Sequence, residues 1–439
     1  MMHKIKGLIL FLFSLLIPAY GICQKKKKED SGSDYIAPRP LSYEDLTYDQ
    51  NVKTVLFHPE NRDQSPPLIK LNSTDRLHLS FDDMGAGLRS FQFKVIHCEY
   101  NWTPSVLLPA EYLDGFFDEN VTIFSSSTNT IIPYTHYELF FPGENMRPTK
   151  SGNYLLLVYA DFDPNKIILS RRFRIYEEKV SIAGFYTFSS DVKYRNQKQE
   201  LRFTVDFSGI KSFNPVQEFT LSIYQNFHPD MAVENCKPGI IQDGKMVFDF
   251  NDAIPFVAGN EFRYFNTNHL YLKSERIAKT EVDSAGSRAW VVSEGSRKGQ
   301  KYSFYRDING RYRPDRAASR SPEIEADYVW VNFTLKHSEE IAGSNVYVGG
   351  AFNDWKCNAN NKMVYDPEEG CYRARIFLKQ GFYNYQYLVL KDGSKEPDPV
   401  FFEGSLSETE NEYLVLVYHR PPGQPFESLV GARIINTLN

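Results

Sequence analysis

From about residue 41 onward, apolar and polar positions alternate with a period of two, segment after segment. Leu77, Leu79 and Phe81 alternate with polar neighbours, as do Phe91, Phe93 and Val95. Asn153 to Tyr159 is nearly continuous in apolar residues, the pattern of a strand buried on both faces. Phe173 and Ile175 close this first block. Met84-Gly85-Ala86-Gly87 supplies a tight turn between two of its strands.

A second series contains Leu201, Phe203, Val205 and Phe207, then Phe219, Leu221 and Ile223. Val247 to Phe250 and Tyr302 to Tyr305 read as further strands, and Asn309-Gly310 as a hairpin turn. The Arg-rich stretch from Arg311 to Ser321, closed by Pro322, reads as a linker or long loop. The third series holds Val329, Val331, Phe333 and Leu335, then strands near 346–350, 372–378, 382–390 and 413–418. Pro421-Pro422-Gly423 ends it, and Leu429 to Leu438 is a mixed tail that docks or dangles.

Helical signals are scarce. Thr103-Pro104-Ser105 offers a cap, but Pro109 interrupts the helix it would start, and Gly115 fits a stop. The expected fold is all-β, serial immunoglobulin-like or E-set-like β-sandwiches, with under about a tenth of residues in helix. The expected boundaries are 1–23 signal peptide, 24–40 linker, 41–178 N-terminal sandwich, 179–322 middle sandwich, 323–420 C-terminal sandwich and 421–439 tail.

Composition narrows the function classes. The 439 residues are 42% hydrophobic and 24% charged, with 28 tyrosines and 33 phenylalanines that favour strands. Disorder needs lower hydrophobicity and higher net charge. A net charge of -5 gives no electrostatic footprint for nucleic acid. The one long apolar run, Leu8 to Ile17 behind Lys4 and Lys6, fits a signal peptide and is short for a membrane span. Cleavage after Cys23, with Gly21 at −3, or after Gly21 satisfies the small-residue rule. Ile22 stands where lipidation of Cys23 wants a small residue. Lys25 to Lys28 oppose export, and an uncleaved anchor is the alternative. Removing residues 1–23 leaves a charge of about -7.

Candidate chemistry is thin. Cys98, Cys236, Cys357 and Cys371 remain after cleavage and allow three pairings. Cys357 and Cys371 flank an expected hairpin and form the candidate disulfide. There is no CxxC, no HExxH among the nine histidines and no Gly-x-Ser-x-Gly elbow. His97 and Cys98 are adjacent and face opposite sides of a strand, so they form no dyad. Asp161, Asp163 and Asn165 open like a calcium loop, but Lys166 and Arg172 occupy its sixth and twelfth positions. Gly349-Gly350 has no following helix and reads as a turn. Asn-x-Ser/Thr triplets at Asn72, Asn101, Asn120 and Asn332 lie mostly in or beside strands.

Two resemblances add to this reading. Gly350-Ala351-Phe352-Asn353-Asp354-Trp355, followed by Gly381-Phe382-Tyr383-Asn384-Tyr385, resembles the glycogen-binding and isoamylase N-terminal β-sandwich modules over roughly 328–400. Trp355 matches their first sugar-stacking Trp. The second would fall near Ser394 or Lys395, and a basic sugar contact falls on Gln386, so neither is present. Trp355 as a core or interface residue is the stronger reading.

The whole mature chain resembles the plug family of the type IX secretion system. The matching stretches are His97-Cys98-Glu99-Tyr100-Asn101-Trp102, Tyr112-Leu113-Asp114-Gly115-Phe116, Tyr134-Thr135-His136-Tyr137, Ser151-Gly152-Asn153-Tyr154-Leu155, Ala258-Gly259-Asn260-Glu261-Phe262-Arg263 and Leu378-Lys379-Gln380-Gly381. The resemblance implies a non-enzymatic plug. It would close the periplasmic end of the giant outer-membrane β-barrel translocon while no cargo shuttle is engaged. It implies a periplasmic protein peripheral to the outer membrane, with no cofactor, nucleic acid, membrane insertion or small-molecule substrate. A body of this length, about 55 Å across, is wide enough for such a pore. Arg311, Arg313 and Arg316 are candidates by position for a basic contact face. The rivals are a periplasmic carbohydrate-binding protein using Trp355, and an enzyme whose scattered acids and histidines would need a polar cleft.

Overall fold

A computed structural model describes residues 40–438 except 86 and 250–253. The expected signal peptide, and the expected linker apart from Pro40, lie outside the described residues. Strands hold 47% of the chain and helices 6%, so the all-β expectation holds. Among the described residues no helix is long and apolar enough to cross a membrane.

Three pairs of stacked sheets build the molecule. In the first, Phe91–Cys98, Gly152–Ala160 and Ile167–Tyr176 form an antiparallel sheet edged by Leu46–Thr47 and Asp118–Asn120. Its partner sheet runs Val52–Pro59, Leu77–Asp83, Thr135–Phe141 and Ile123–Ser126. Alternate residues meet between the two. Phe91 lies edge-on to Phe81 at 5.3 Å and to Tyr137 at 4.8 Å, and Phe173 meets Phe57 and Phe141. All of Gly152–Ala160 is buried, as its continuous apolar run requires. Its second face is covered by Leu41, Tyr43, Leu46 and Trp102.

The second sandwich stacks a sheet of Ser181–Phe188, Lys198–Asp206, Lys245–Phe248, Ile240–Gln242 and Ile254–Val257 on another built from Phe219–Gln225, Ala232–Glu234, Glu412–His419 and Ser428–Asn436. Its core joins Leu201, Phe203 and Val205 to Leu221, Ile223, Tyr413, Val415 and Val417. Leu414, Leu416 and Tyr418 on the other face of Glu412–His419 pack with Leu68, Tyr100 and Tyr176 of the first sandwich. That strand is therefore buried on both faces, which accounts for its uniformly apolar sequence.

The third sandwich uses Arg263–Asn266, Tyr312–Pro314, Ser344–Gly349 and Gly381–Lys391 against Ile277–Asp283, Gly286–Val291, Tyr328–Lys336, Val364–Asp366 and Cys371–Lys379. At its centre Phe265 and Tyr312 stack on Tyr383, and Phe333 meets Phe265 and Tyr385 edge-on.

Strand pairing crosses the expected boundaries. Residues 263–314 belong to the third sandwich, and 412–436 return to the second. The third sandwich is thus inserted between strands of the second. Period-two patterning identifies strands without naming their partners. The expected linker at Arg311–Ser321 begins instead as a strand, with Tyr312 opposite Tyr383 and Pro314 opposite Gly381. A Cβ on Gly381 would stand 2.2 Å from the Arg313 carbonyl oxygen, so only glycine permits this approach. Tyr302 to Tyr305 joins no ladder, and the Tyr302 and Tyr305 hydroxyls bond residues 261–262 instead. Pro109 starts the helical turn Pro109–Tyr112 rather than interrupting one, since a first-turn proline loses no helical hydrogen bond. The tail docks as Ser428–Asn436.

Candidate functional site

The polar residues that stand out in this molecule gather where the sandwiches meet. Between the first and third, Asp82 is fully buried, with Lys379 Nζ 2.7 Å from Oδ2 and His136 Nδ1 2.6 Å from Oδ1. The Tyr328 hydroxyl donates to Asp82 Oδ2 at 2.7 Å, and Lys379 also donates to the Glu323 carbonyl. Burial pushes the Asp82 carboxyl up, but Lys379 and His136 outweigh it and hold it below the usual carboxylate range. Around this pair, Asp327 accepts from the Ile131 and Ile132 amides, and Tyr134 donates to the Ala326 carbonyl.

Between the first and second sandwiches, the Arg174 guanidinium lies over the rings of Trp102 and Tyr224 at 4.8 and 4.5 Å. Tyr418 donates to Asn153 Oδ1 at 2.8 Å, while Asn153 Nδ2 donates to the carbonyls of Glu99 and Tyr100. Where the chain crosses between second and third, buried Glu403 takes Arg263 and Arg297, and Asn411 bonds Gln199 and the Ala258 carbonyl.

Trp355 lies where all three meet. Asp354 pairs with Arg171 and Lys356 with Glu44 of the first sandwich, while the indole packs on His228 of the second at 4.3 Å. Phe262 and Gly310 press on it from the third-sandwich side. Trp355 is 8% exposed. An indole covered in this way offers no free face to a sugar ring, so the possible sugar platform becomes an internal contact.

The other candidates separate. Cys98, Cys236, Cys357 and Cys371 are all free thiols, which corrects the expected Cys357–Cys371 disulfide. The hairpin around Cys371 closes on Asp366 and Tyr365, leaving Cys357 outside it. Of the three arginines, Arg311 pairs with Glu412 and Arg316 donates to the carbonyls of Asn129 and Glu325. Only Arg313 is exposed. Arg311 and Arg316 therefore brace the body. Asp163 caps its own turn by accepting from the Asn165 amide, and Lys166 pairs with Asp161.

A cleft between the first and third sandwiches has His58, His78, His136, Glu138 and Lys379 among its lining residues. Its imidazoles are engaged: His136 with Asp82, His78 with Glu138, and His58 with the Pro59 carbonyl. Among the described residues, one set of side chains has the spacing of metal ligands: Glu261, Asp307 and Glu410. Sequence reasoning missed them because they lie far apart along the chain.

The first sandwich now has a counterpart. Residues 52–177 match the family model for the type 9 secretion system plug protein 1st domain. The match supports the plug family and spans both sheets of that sandwich. A crystal structure of a hypothetical protein from Parabacteroides merdae is 26% identical, with a TM-score of 0.86. The alignment covers 90% of this chain and 100% of that one. Its chain therefore shares the whole architecture, inserted sandwich included. Dimeric latent PorU from Porphyromonas gingivalis is 11% identical over 89% of this chain and 34% of that one, with a TM-score of 0.16. The BSP domain of a biofilm associated protein is 10% identical over 88% and 81%, with a TM-score of 0.13. At those scores neither carries an argument. No curated protein matches the chain. None of these likenesses extends the glycogen-binding resemblance of residues 328–400.

Proposed function

We propose that this protein is a non-enzymatic plug. It closes the periplasmic end of the outer-membrane type IX translocon pore while the cargo shuttle is absent. The observation that carries the reading is the match of residues 52–177 to the plug first domain.

The physical character of the molecule supports it. A gate across a wide pore must resist bending. Buried ion pairs and hydrogen bonds brace each junction, and residues 354–356 reach all three sandwiches. The partner is then the giant outer-membrane β-barrel, and the compartment is the periplasm. Closure and cargo engagement are linked states of the barrel, each disfavouring the other.

The test is genetic and biochemical. Deleting the gene is expected to make the outer membrane leaky to large antibiotics while leaving secretion partly intact. The tagged protein is expected to co-purify with the barrel. Normal permeability in the deletion strain, together with no co-purification, would overturn the proposal.

A further inference from the structure

Three carboxylates meet where the chain crosses between the second and third sandwiches. Glu261 lies on the outgoing segment, between Ile254–Val257 and Arg263–Asn266. Glu410 lies on the return, just before Glu412–His419. Asp307 comes from the third-sandwich loop that leads into Tyr312–Pro314. They are 1%, 7% and 6% exposed, and one carboxylate oxygen of each lies within 4.8 Å of the others.

Two other buried acids have cations: Lys379 for Asp82, and Arg263 and Arg297 for Glu403. Here no side-chain cation of the described residues forms an ion pair with any of the three. Arg297 spends its guanidinium on Glu403, Tyr305 and the Glu261 backbone carbonyl. Glu261 Oε1 accepts from the Tyr302 hydroxyl and the Glu410 amide. Its Oε2 is buried with no donor at all, as is Oδ1 of the neighbouring Asn309, itself 5% exposed. The Asp307 oxygens take the Phe262 and Asn309 amides, and Glu410 Oε1 takes Asn436. A buried acceptor oxygen left bare marks a missing partner, either a hydrogen-bond donor or a cation.

We propose that Glu261, Asp307 and Glu410 bind a divalent hard cation of the calcium class, which clamps the two crossings between the second and third sandwiches. The donors are all oxygen, with no imidazole or thiolate, which selects calcium or magnesium over zinc or copper. Calcium accepts oxygen ligands at about 2.3–2.6 Å in a flexible shell, whereas magnesium demands a near-ideal octahedron. Magnesium also holds its waters, and this site is nearly closed to solvent. The clamp would act inside the body and does not depend on what the body plugs.

Calcium is the probe, added to the full mature protein after treatment with EDTA and dialysis. The melting temperature is expected to rise by about 3 °C as calcium reaches about 1 mM, with a smaller rise for magnesium. Calorimetric titration is expected to give one calcium per chain. Glu261→Gln keeps an acceptor for Tyr302 and the Glu410 amide while removing the charge. It is expected to abolish the calcium response and, freed of one buried negative charge, to melt above the wild type in EDTA. Glu410→Gln serves as the second variant if the first does not fold. No calcium response in the wild type, an undiminished response in the variants, or a stronger response to magnesium would overturn the assignment.

Discussion

Lys379 Nζ stands 2.7 Å from Asp82 Oδ2, joining the far end of Cys371–Lys379 in the third sandwich to Leu77–Asp83 in the first. Both side chains are at most 1% exposed, so neither charge has water to fall back on. Replacing Lys379 by Met leaves the Asp82 charge buried with only His136 and the Tyr328 hydroxyl beside it, which costs about 3–5 kcal/mol. The double variant Lys379→Met with Asp82→Asn is expected to recover a large part of that loss. Urea denaturation of the two variants and the wild type measures both steps.

Gly310 tests the three-way junction. Its φ is +79°, and a Cβ there would lie 2.5 Å from the Trp355 ring. Gly310→Ala is expected to cost at least about 2 kcal/mol, from the left-handed backbone and the displaced indole together. Tryptophan emission should shift to the red as Trp355 becomes wetter. An unchanged spectrum and stability would refute the close packing.

Two buried histidines set an acid response. Burial holds His97 down at about 4, and burial followed by Lys356 holds His228 down at about 3. Above pH 6.5 both are neutral in the folded and unfolded chain, and their contribution is fully present. As pH falls below 6.5 the unfolded chain takes up protons that the folded one refuses. Stability drops until the folded pKa values are reached. Each histidine contributes up to about 3–5 kcal/mol of that loss. Between pH 7 and pH 5 the urea midpoint should fall for the wild type and fall less for His228→Gln.

Thiol chemistry checks the cysteines. Burial pushes Cys98 up to about 12 and Cys236 and Cys357 to about 11, so little thiolate forms at neutral pH. Iodoacetamide without reductant is expected to label the native protein slowly, and Cys98, Cys236, Cys357 and Cys371 completely in denaturant. A mass that gains labels at Cys357 and Cys371 only after reduction would restore the disulfide.

Strand positions are legible in the sequence because burial imposes a period of two. Leu77 to Phe81 and Leu201 to Phe207 alternate as their faces demand, and Glu412–His419 is apolar throughout because both its faces are covered. Pairing is not legible. Nothing local in Tyr413 to Tyr418 announces that its partner is Phe219–Gln225. Tyr302 to Tyr305 carries strand-like composition, yet its hydroxyls serve Glu261 and Phe262. Trp355 reads as an interface residue from the missing sugar contacts alone, though its neighbours His228 and Gly310 come from distant segments. Glu261, Asp307 and Glu410 share no spacing rule, so only the folded chain brings them together.

The insertion of one sandwich into another dictates an order of events for a chain delivered from its N-terminus. Ser181–Phe188 to Ile254–Val257 emerge early but find only part of their opposing sheet. The strands that cover Leu201, Phe203 and Val205, and that supply Tyr413, Val415 and Val430, arrive last. Until then an apolar sheet face waits while residues 263–391 fold on their own contacts. Closing so long a loop is slow, and an open sheet is prone to mispairing. Loss of the final strand, Ser428–Asn436, would leave the second sandwich unfinished and the first without Leu429 against its flank. Glu412–His419 and Ser428–Asn436 are therefore the strands that commit the second sandwich to its native state.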